Sequence, residues 1–232
     1  MAFLKRWSDG LMHLFFPHTC AACGTDVLNE ETALCLKCLH QLPVTNFHQH
    51  ANNPVEKIFW GKLSITAATS YCHFTKHSLI QNVLHQAKYK NNQQAAVYMG
   101  RLLGNSLLQS HRFNTIDAIV PLPLFAARLK KRGYNQATLI SQGIGLVTGK
   151  PIIENAVTRL SATETQTHKN RVERWQNMQG RFMATNTVVL ENKHILLVDD
   201  VVTTGATLEA CGQEILKITG TQLSIATIAY TV

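Results

Sequence analysis

The sequence has few charged residues, little acidic charge and no long apolar run. None of its apolar stretches reaches the roughly 20 residues that a transmembrane helix needs. Charged residues make up only 16% of the 232 positions and hydrophobic residues 45%, so the composition is not that of a disordered chain. A chain of this length buries a sizeable core, and we expect one main domain with a small appendage.

The N-terminal segment, residues 1–17, combines early positive charge with a short apolar stretch that Asp9 and His13 interrupt. It lacks a small-residue cleavage site at the spacing of a secretory signal, so we interpret it as an amphipathic helix. We therefore expect a cytoplasmic protein without a membrane span, in which thiols stay reduced and structural disulfides do not form.

The positive charge is concentrated in the middle of the chain. Residues 88–181 contain 14 Lys and Arg against 4 Asp and Glu, whereas residues 182–232 contain 2 against 5. A concentration of cations of this kind is typical of a surface that binds phosphates or a polyanion. The alternative is a generally basic surface that is simply solvated.

The pattern of apolar residues divides the chain into three zones. Residues 1–45 form an N-terminal helix and a four-cysteine module, residues 46–70 form a connecting segment, and residues 71–232 form an α/β domain. Apolar periodicity predicts helices over Ser78–Lys88, Ala95–Leu108, Ala137–Val147 and Thr207–Thr219, and strands over Ile116–Pro121, His194–Val198 and Leu223–Tyr230. This alternation predicts a mainly parallel sheet flanked by helices.

Four cysteines form two closely spaced pairs near the N-terminus. Cys20 and Cys23 make one CxxC pair, and Cys35 and Cys38 make a second pair eleven residues later. Two such pairs supply the four thiolates of a closed tetrahedral zinc site, whose role is structural because no coordination position stays open. Two disulfides or a redox CxxC are the alternatives.

A buried strand, two carboxylates and a hydroxyl-rich turn follow one another at residues 194–207. Asp199 and Asp200 end the strand, and the turn that follows contains three Thr and Gly205. Free backbone amides, hydroxyls and the positive end of a helix dipole suit a phosphate monoester. The carboxylates suit ribose hydroxyls, either directly or through a divalent metal. An acidic helix cap is the alternative, and it accounts for one Asp but not for the whole set.

These residues resemble the phosphoribosyl diphosphate (PRPP) motif of type I phosphoribosyltransferases. The resemblance implies a phosphoribosyltransferase-like fold in which Asp199 and Asp200 contact the ribose and serve as catalytic candidates, with magnesium bound alongside PRPP. It assigns ribose and phosphate binding to Asp199, Asp200, Val201, Val202, Thr203, Thr204, Gly205, Ala206 and Thr207.

A longer pattern resembles the ComF (ComFC/GntX-like) competence family over nearly the whole chain. It comprises the four-cysteine module, Val120–Pro123, Arg132–Ala137, and Thr165 and Gln166 with Arg174 and Asn177. This resemblance implies single-stranded DNA as a partner during natural transformation. Other competence proteins, such as a helicase or a DNA-processing protein, are further expected partners.

Two basic segments, Pro123–Asn135 and Arg159–Phe182, account for much of the charge in the middle of the chain. In the phosphoribosyltransferase scheme they correspond to a pyrophosphate loop and a loop that closes over substrate. Ordinary surface loops are the alternative, and the same cations are equally suited to a nucleic-acid backbone. The candidates for pyrophosphate or DNA-backbone binding are Lys88, Arg128, Lys130, Lys131, Arg132, Arg171 and Arg174.

Three functions are therefore open at this point. The first is a competence-associated protein that binds a PRPP-like ligand with magnesium and handles single-stranded DNA. The second is an active phosphoribosyltransferase of nucleotide salvage, and the third is a non-enzymatic DNA-binding module with a vestigial phosphate pocket.

Overall fold

The computed structural model describes residues 18–26, 32–89, 92–160 and 181–231. The helices in these ranges are α1 (Leu36–His40), α2 (Pro54–Phe59), α3 (Leu79–Tyr89), α4 (Gln93–Leu108), α5 (Ala126–Arg132), α6 (Gln136–Thr148) and α7 (Ala206–Leu216), with short 3-10 turns at Phe47–Gln49 and His111–Phe113. The strands are β1 (Ala67–Phe74), β2 (Ala118–Pro121), β3 (Val157–Arg159), β4 (Phe182–Ala184), β5 (His194–Val202) and β6 (Gln222–Thr231). The predicted N-terminal helix, Arg171 and Arg174 lie outside the described residues.

The core is a parallel sheet with the strand order β1-β6-β5-β2. Ile152 adds a single parallel bridge beyond β2, at Ile119. Apolar residues of the central strands alternate between two hydrophobic clusters, one on each face, because helices cover both sides of the sheet. The predicted α/β fold with a mainly parallel sheet and flanking helices is confirmed.

Helices α4 and α6 pack together more closely than ordinary side chains allow. A β-carbon added at Gly100 would lie 2.2 Å from the backbone oxygen of Ile140, and one at Gly143 would lie 2.1 Å from that of Val97. Glycine at both crossing points therefore brings the two backbones into direct contact. This packing fixes α6, whose first turn begins beside the carboxyl end of β2.

The segment predicted as a connection is integrated into the sheet. Asn53 caps α2 and its amide donates a hydrogen bond to the backbone oxygen of Ala68 at 2.9 Å. The Glu56 carboxylate accepts the Ala68 amide at 3.1 Å and pairs with Arg112. Strand β1 begins at Ala67, within the predicted connection, because this polar anchoring extends the strand toward its N-terminus.

Two further elements differ from the sequence-based expectation. The basic stretch after β2 contains a helix, α5, which ends where Gly133 adopts a left-handed conformation. The apolar strand predicted over 194–198 continues through Val202, because Asp199 and Val201 pair with Thr227 and Ala229 of β6. In the described residues, no helix is long and apolar enough to cross a membrane.

Candidate functional site

The turn after β5 lies at the carboxyl edge of the sheet, where ligands bind in folds of this kind. Strand β5 ends at Val202, α7 begins at Ala206, and Thr203 and Thr204 between them are exposed. The first amides of α7 have no partner within the helix, and the helix dipole makes this end positive. The turn therefore presents hydroxyls and amide donors to an anion.

Gly205 is required at this turn for two independent reasons. Its φ of +74° is in the left-handed region that side chains disfavour. A β-carbon there would also lie 2.5 Å from the Ile58 side chain and 3.0 Å from the Phe59 ring. Helix α2 thus packs against the turn. The two segments are distant in sequence, so the local pattern did not reveal this contact.

Asp200 forms an ion pair with Lys88 at the end of α3. The Lys88 Nζ atom lies 2.5 Å from Asp200 Oδ2, and both side chains are largely buried. The structure therefore brings Lys88 to the acidic pair, although the two residues are separated by more than a hundred positions in sequence. This contact places a cation beside the carboxylates.

Asp199 has the strongest electrostatic perturbation among the carboxylates of the site. Burial and the adjacent charge of Asp200 raise the pKa of Asp199 to about 8, while Lys88 and Arg159 act in the opposite direction. Its Oδ1 atom accepts the Asp200 backbone amide at 2.8 Å. A cation that binds to the acidic pair would lower this pKa again.

The two carboxylates lie on successive residues of a strand, so their side chains leave opposite faces of the sheet. Asp200 faces Lys88, and the charge of Arg159 acts on Asp199. The sequence predicted both residues in one site, and the structure places them at one strand end with different neighbours. Lys88 thus pairs with Asp200 and also acts on Asp199, whereas Arg159 acts on Asp199.

Arg159 is the first residue of the second basic segment. It belongs to the site in the structure, although the sequence did not indicate it as a candidate. Its guanidinium stacks on the Phe182 ring, 5.4 Å from the ring centroid, across the β3–β4 pair. Burial and then the charge of Arg128 lower the pKa of Arg159. Two cations from separate predicted basic segments are therefore close together, which no spacing rule in the sequence indicates.

The remaining cations of the first basic segment lie on α5. This helix has no buried residue, and Lys130 and Lys131 are exposed to solvent. Arg132 instead hydrogen-bonds the Gln136 side chain at the start of α6. The predicted group of pyrophosphate or DNA candidates is thus divided between residues beside the carboxylates and residues on an exposed helix.

The four N-terminal cysteines converge on one point. Their sulfur atoms all lie within 4.8 Å of one another, and the Cys23 and Cys35 sulfurs are 3.8 Å apart. Two sulfurs bound to one zinc at about 2.3 Å in tetrahedral geometry are separated by about 3.8 Å, so the spacing fits a metal ion. The cluster can hold a metal such as zinc.

The backbone around the cysteines provides hydrogen bonds to sulfur. The Cys35 amide donates to the Cys20 sulfur at 3.4 Å, and hydrogen bonding with Thr25 lowers the pKa of Cys23 to about 6. Burial raises the pKa of Cys38, so a cation is needed to hold all four as thiolates. The module is anchored to α3 by Asn82, whose amide donates to the Ala22 backbone oxygen at 3.1 Å.

The parallel sheet, the acidic strand end and the Thr-Thr-Gly turn define a protein of the phosphoribosyltransferase fold. Consistent with this, the phosphoribosyl transferase domain family matches residues 85–231. The chain belongs to the ComF family of phosphoribosyltransferase-domain proteins.

Three relatives illustrate the membership. Competence protein F of Haemophilus influenzae is 27% identical over 220 residues, which cover 88% of this chain and 93% of that protein. DNA utilization protein YhgH of Escherichia coli O157:H7 is 30% identical over 202 residues, which cover 85% and 84%. Competence protein ComFC of Bacillus subtilis is 33% identical over 99 residues, which cover 43% of this chain and 38% of that protein.

Proposed function

We propose that this protein binds a phosphoribosyl ligand, PRPP with magnesium, in residues 199–207 and handles single-stranded DNA during natural transformation. The part of this proposal that concerns ligand binding rests on one observation, the Thr-Thr-Gly turn at the end of β5, which lies beside the acidic pair and Lys88. The competence role rests on the family, and the DNA half on the relatives' names and on the basic middle of the chain.

Each group in the site has a distinct task in this proposal. The amides and hydroxyls of residues 203–207 bind the 5′-phosphate, because donors at a helix start suit a dianion. Asp199 and Asp200 orient the ribose hydroxyls. Lys88 and Arg159 neutralise the carboxylates before the ligand arrives and are available to its phosphate oxygens afterwards.

Magnesium is the cation that fits this donor set. Carboxylate oxygens and diphosphate oxygens are its preferred ligands, and Asp199 and Asp200 provide the former. When bound, the ion supplies positive charge to the diphosphate. If the site transfers the phosphoribosyl group, the bond that breaks joins the anomeric carbon to pyrophosphate, and the cations of the site stabilise the departing anion.

A calorimetric titration with PRPP, with and without magnesium, tests the ligand half. We expect magnesium-dependent binding in the wild type and at least a tenfold weaker affinity in Asp199→Asn/Asp200→Asn, since each lost charged contact is worth about 1.5–3 kcal/mol. Glu191→Gln, an exposed acid-to-amide change before β5, is the matched control. Equal affinity in all three proteins would refute the assigned site.

A measurement of pyrophosphate release distinguishes this proposal from a function in nucleotide salvage. A salvage enzyme turns over PRPP when a free nucleobase is supplied, whereas the competence role requires only binding. Absence of turnover with purine and pyrimidine bases, together with intact PRPP binding, would eliminate the salvage function.

We further propose that the cysteine cluster binds zinc in a structural role, with cytoplasmic location keeping its thiols reduced. The converging sulfurs and the amide donated to Cys20 support this assignment. Other competence proteins, such as a helicase or a DNA-processing protein, remain predicted partners.

A further inference from the structure

A cavity of about 480 Å³ lies between α5, the start of α6 and the chain leading into β3. Its size is within the range of ligand pockets in proteins. Its walls are partly apolar, from Leu124, Leu129 and Tyr134, and partly polar, from Asn135 and Glu154. No role was assigned to this cavity by the sequence motifs.

The walls of the cavity are held in place before any ligand binds. The Tyr134 hydroxyl donates to the Ala87 backbone oxygen at 2.6 Å, which fixes the ring. The Asn135 amide group donates to the Leu122 backbone oxygen at 2.9 Å. A preformed pocket of this kind loses little conformational entropy on binding.

Arg159 supplies a cation to the wall of the cavity. It lies over the Phe182 ring, which holds the guanidinium in position. A ligand that occupies the cavity therefore has a positive charge beside it.

Helix α5 forms one rim of the cavity and carries an unusual set of side chains. None of its seven residues is buried, and of its four cations Arg128, Lys130 and Lys131 are exposed, whereas Arg132 hydrogen-bonds Gln136. Leu129, between them, lines the cavity and is 42% exposed. An exposed basic helix is complementary to a phosphate backbone, and an adjoining apolar and polar pocket is complementary to a base.

We infer that this cavity receives one base of a single-stranded nucleic acid whose phosphate backbone runs along α5. The inference rests on the DNA half of the proposed function and locates it at these residues. The flat faces of a base contact Leu129 and Tyr134, and its polar edge reaches the polar wall. The cations of α5 then serve the strand, while Lys88 serves the phosphoribosyl site.

The test separates base contacts from backbone contacts by fluorescence anisotropy on the full chain. The probes are a labelled single-stranded oligothymidylate of roughly 15 nucleotides and an abasic strand of equal length and charge. In the wild type we expect the thymidylate to bind at least about fivefold more tightly, since one stacked base is worth about 1–3 kcal/mol. Equal affinity for the two strands would overturn the inference.

Two variants assign the two contributions to named residues. Leu129→Ser should abolish the preference for the base-containing strand and leave the salt dependence unchanged. Lys130→Gln/Lys131→Gln should weaken both strands equally and reduce the slope of log K against log salt by about 1.4, at about 0.7 per phosphate contact. Leu146→Ser, at an exposed leucine of α6, and Lys37→Gln/Lys76→Gln are the matched controls.

PRPP titrations on the same variants distinguish failure of this inference from failure of the proposed function. Magnesium-dependent PRPP binding should persist in Lys130→Gln/Lys131→Gln; its loss would assign α5 to pyrophosphate and overturn the inference. Free thymidine monophosphate is the competitor. If it displaces the strand from the wild type at concentrations below the dissociation constant of the strand, the cavity would be assigned to a free nucleotide instead of a strand. No strand binding at low salt would refute the DNA half of the proposed function itself.

Discussion

Individual residues at the carboxyl end of β5 determine how the site is charged. Asp199 and Asp200 are neighbours in sequence, yet burial and the adjacent charge raise the pKa of Asp199 while Lys88 pairs with Asp200. A ligand that brings a divalent cation would relieve the repulsion between the two carboxylates. The charge balance is thus consistent with the proposal that the ligand binds together with magnesium.

Gly205→Ala should damage both stability and phosphate binding. The left-handed backbone at this position costs a non-glycine residue roughly 1–2 kcal/mol, and the added methyl group also meets Ile58 and Phe59. We expect urea denaturation to show a free energy of unfolding that is lower by at least that amount, together with weaker PRPP binding. Gly133→Ala, also in the left-handed region but with no atom within 4 Å of its added carbon, controls for backbone strain. Equal losses in the two variants would contradict the packing argument.

His194 should make the protein less stable in mild acid. Its ring nitrogens hydrogen-bond Thr115 and Ser224 at 2.8 Å, and burial lowers its pKa below the ordinary value of 6.5. At pH values between the ordinary pKa of histidine and the lower pKa of His194 in the folded state, the unfolded chain binds more protons than the folded one. The free energy of unfolding therefore falls as the pH falls. Urea denaturation from pH 7.5 to 5 should show a smaller fall in His194→Gln than in the wild type. The exposed His111→Gln should follow the wild type; identical profiles for all three would exclude this role.

At the scale of helices and strands, periodicity predicted most of what the structure contains. The helices near 79–89, 93–108, 136–148 and 206–216 and the strands β2, β5 and β6 lie close to their predicted positions. Regular elements of this kind are predictable because their apolar residues must face one core.

The features that the sequence did not predict depend on contacts between distant segments. Strand β1, for which the sequence predicted no strand, begins within the predicted connection, where Asn53 and Glu56 anchor Ala68. Arg159 joins the site because the β3–β4 pair holds it against Phe182, and Gly205 depends on α2. A local pattern contains no information about such partners, so the motif that predicts a phosphate-binding turn does not indicate which residues support that turn.

The cysteine module should bind its metal as a unit. Cys38→Ser removes one of four converging sulfurs, so we expect zinc content by atomic absorption to fall from about one ion per chain to well below it, with a lower melting temperature. Cys72→Ala removes a buried thiol outside the cluster and should keep its zinc. Full zinc occupancy in Cys38→Ser would contradict the four-thiolate site.

Across the whole molecule, the charges are divided between two surfaces. The carboxyl edge of the sheet combines the acidic pair with Lys88 and Arg159, whereas α5 presents its cations to solvent. The first arrangement suits a compact ligand with a bound metal, and the second suits an extended polyanion. In the proposed function, the cavity beside α5 receives a base of the strand, and the strand end of β5 holds the phosphoribosyl ligand.

The proposed ribose-phosphate site is best tested by a crystal structure with PRPP and magnesium. We expect a 5′-phosphate bound by the amides of residues 203–207, with the ribose and the ion against Asp199 and Asp200. We also expect that Lys130 and Lys131 do not touch the diphosphate. Ligand density at any other edge of the sheet, or a diphosphate bound by α5, would contradict this proposal.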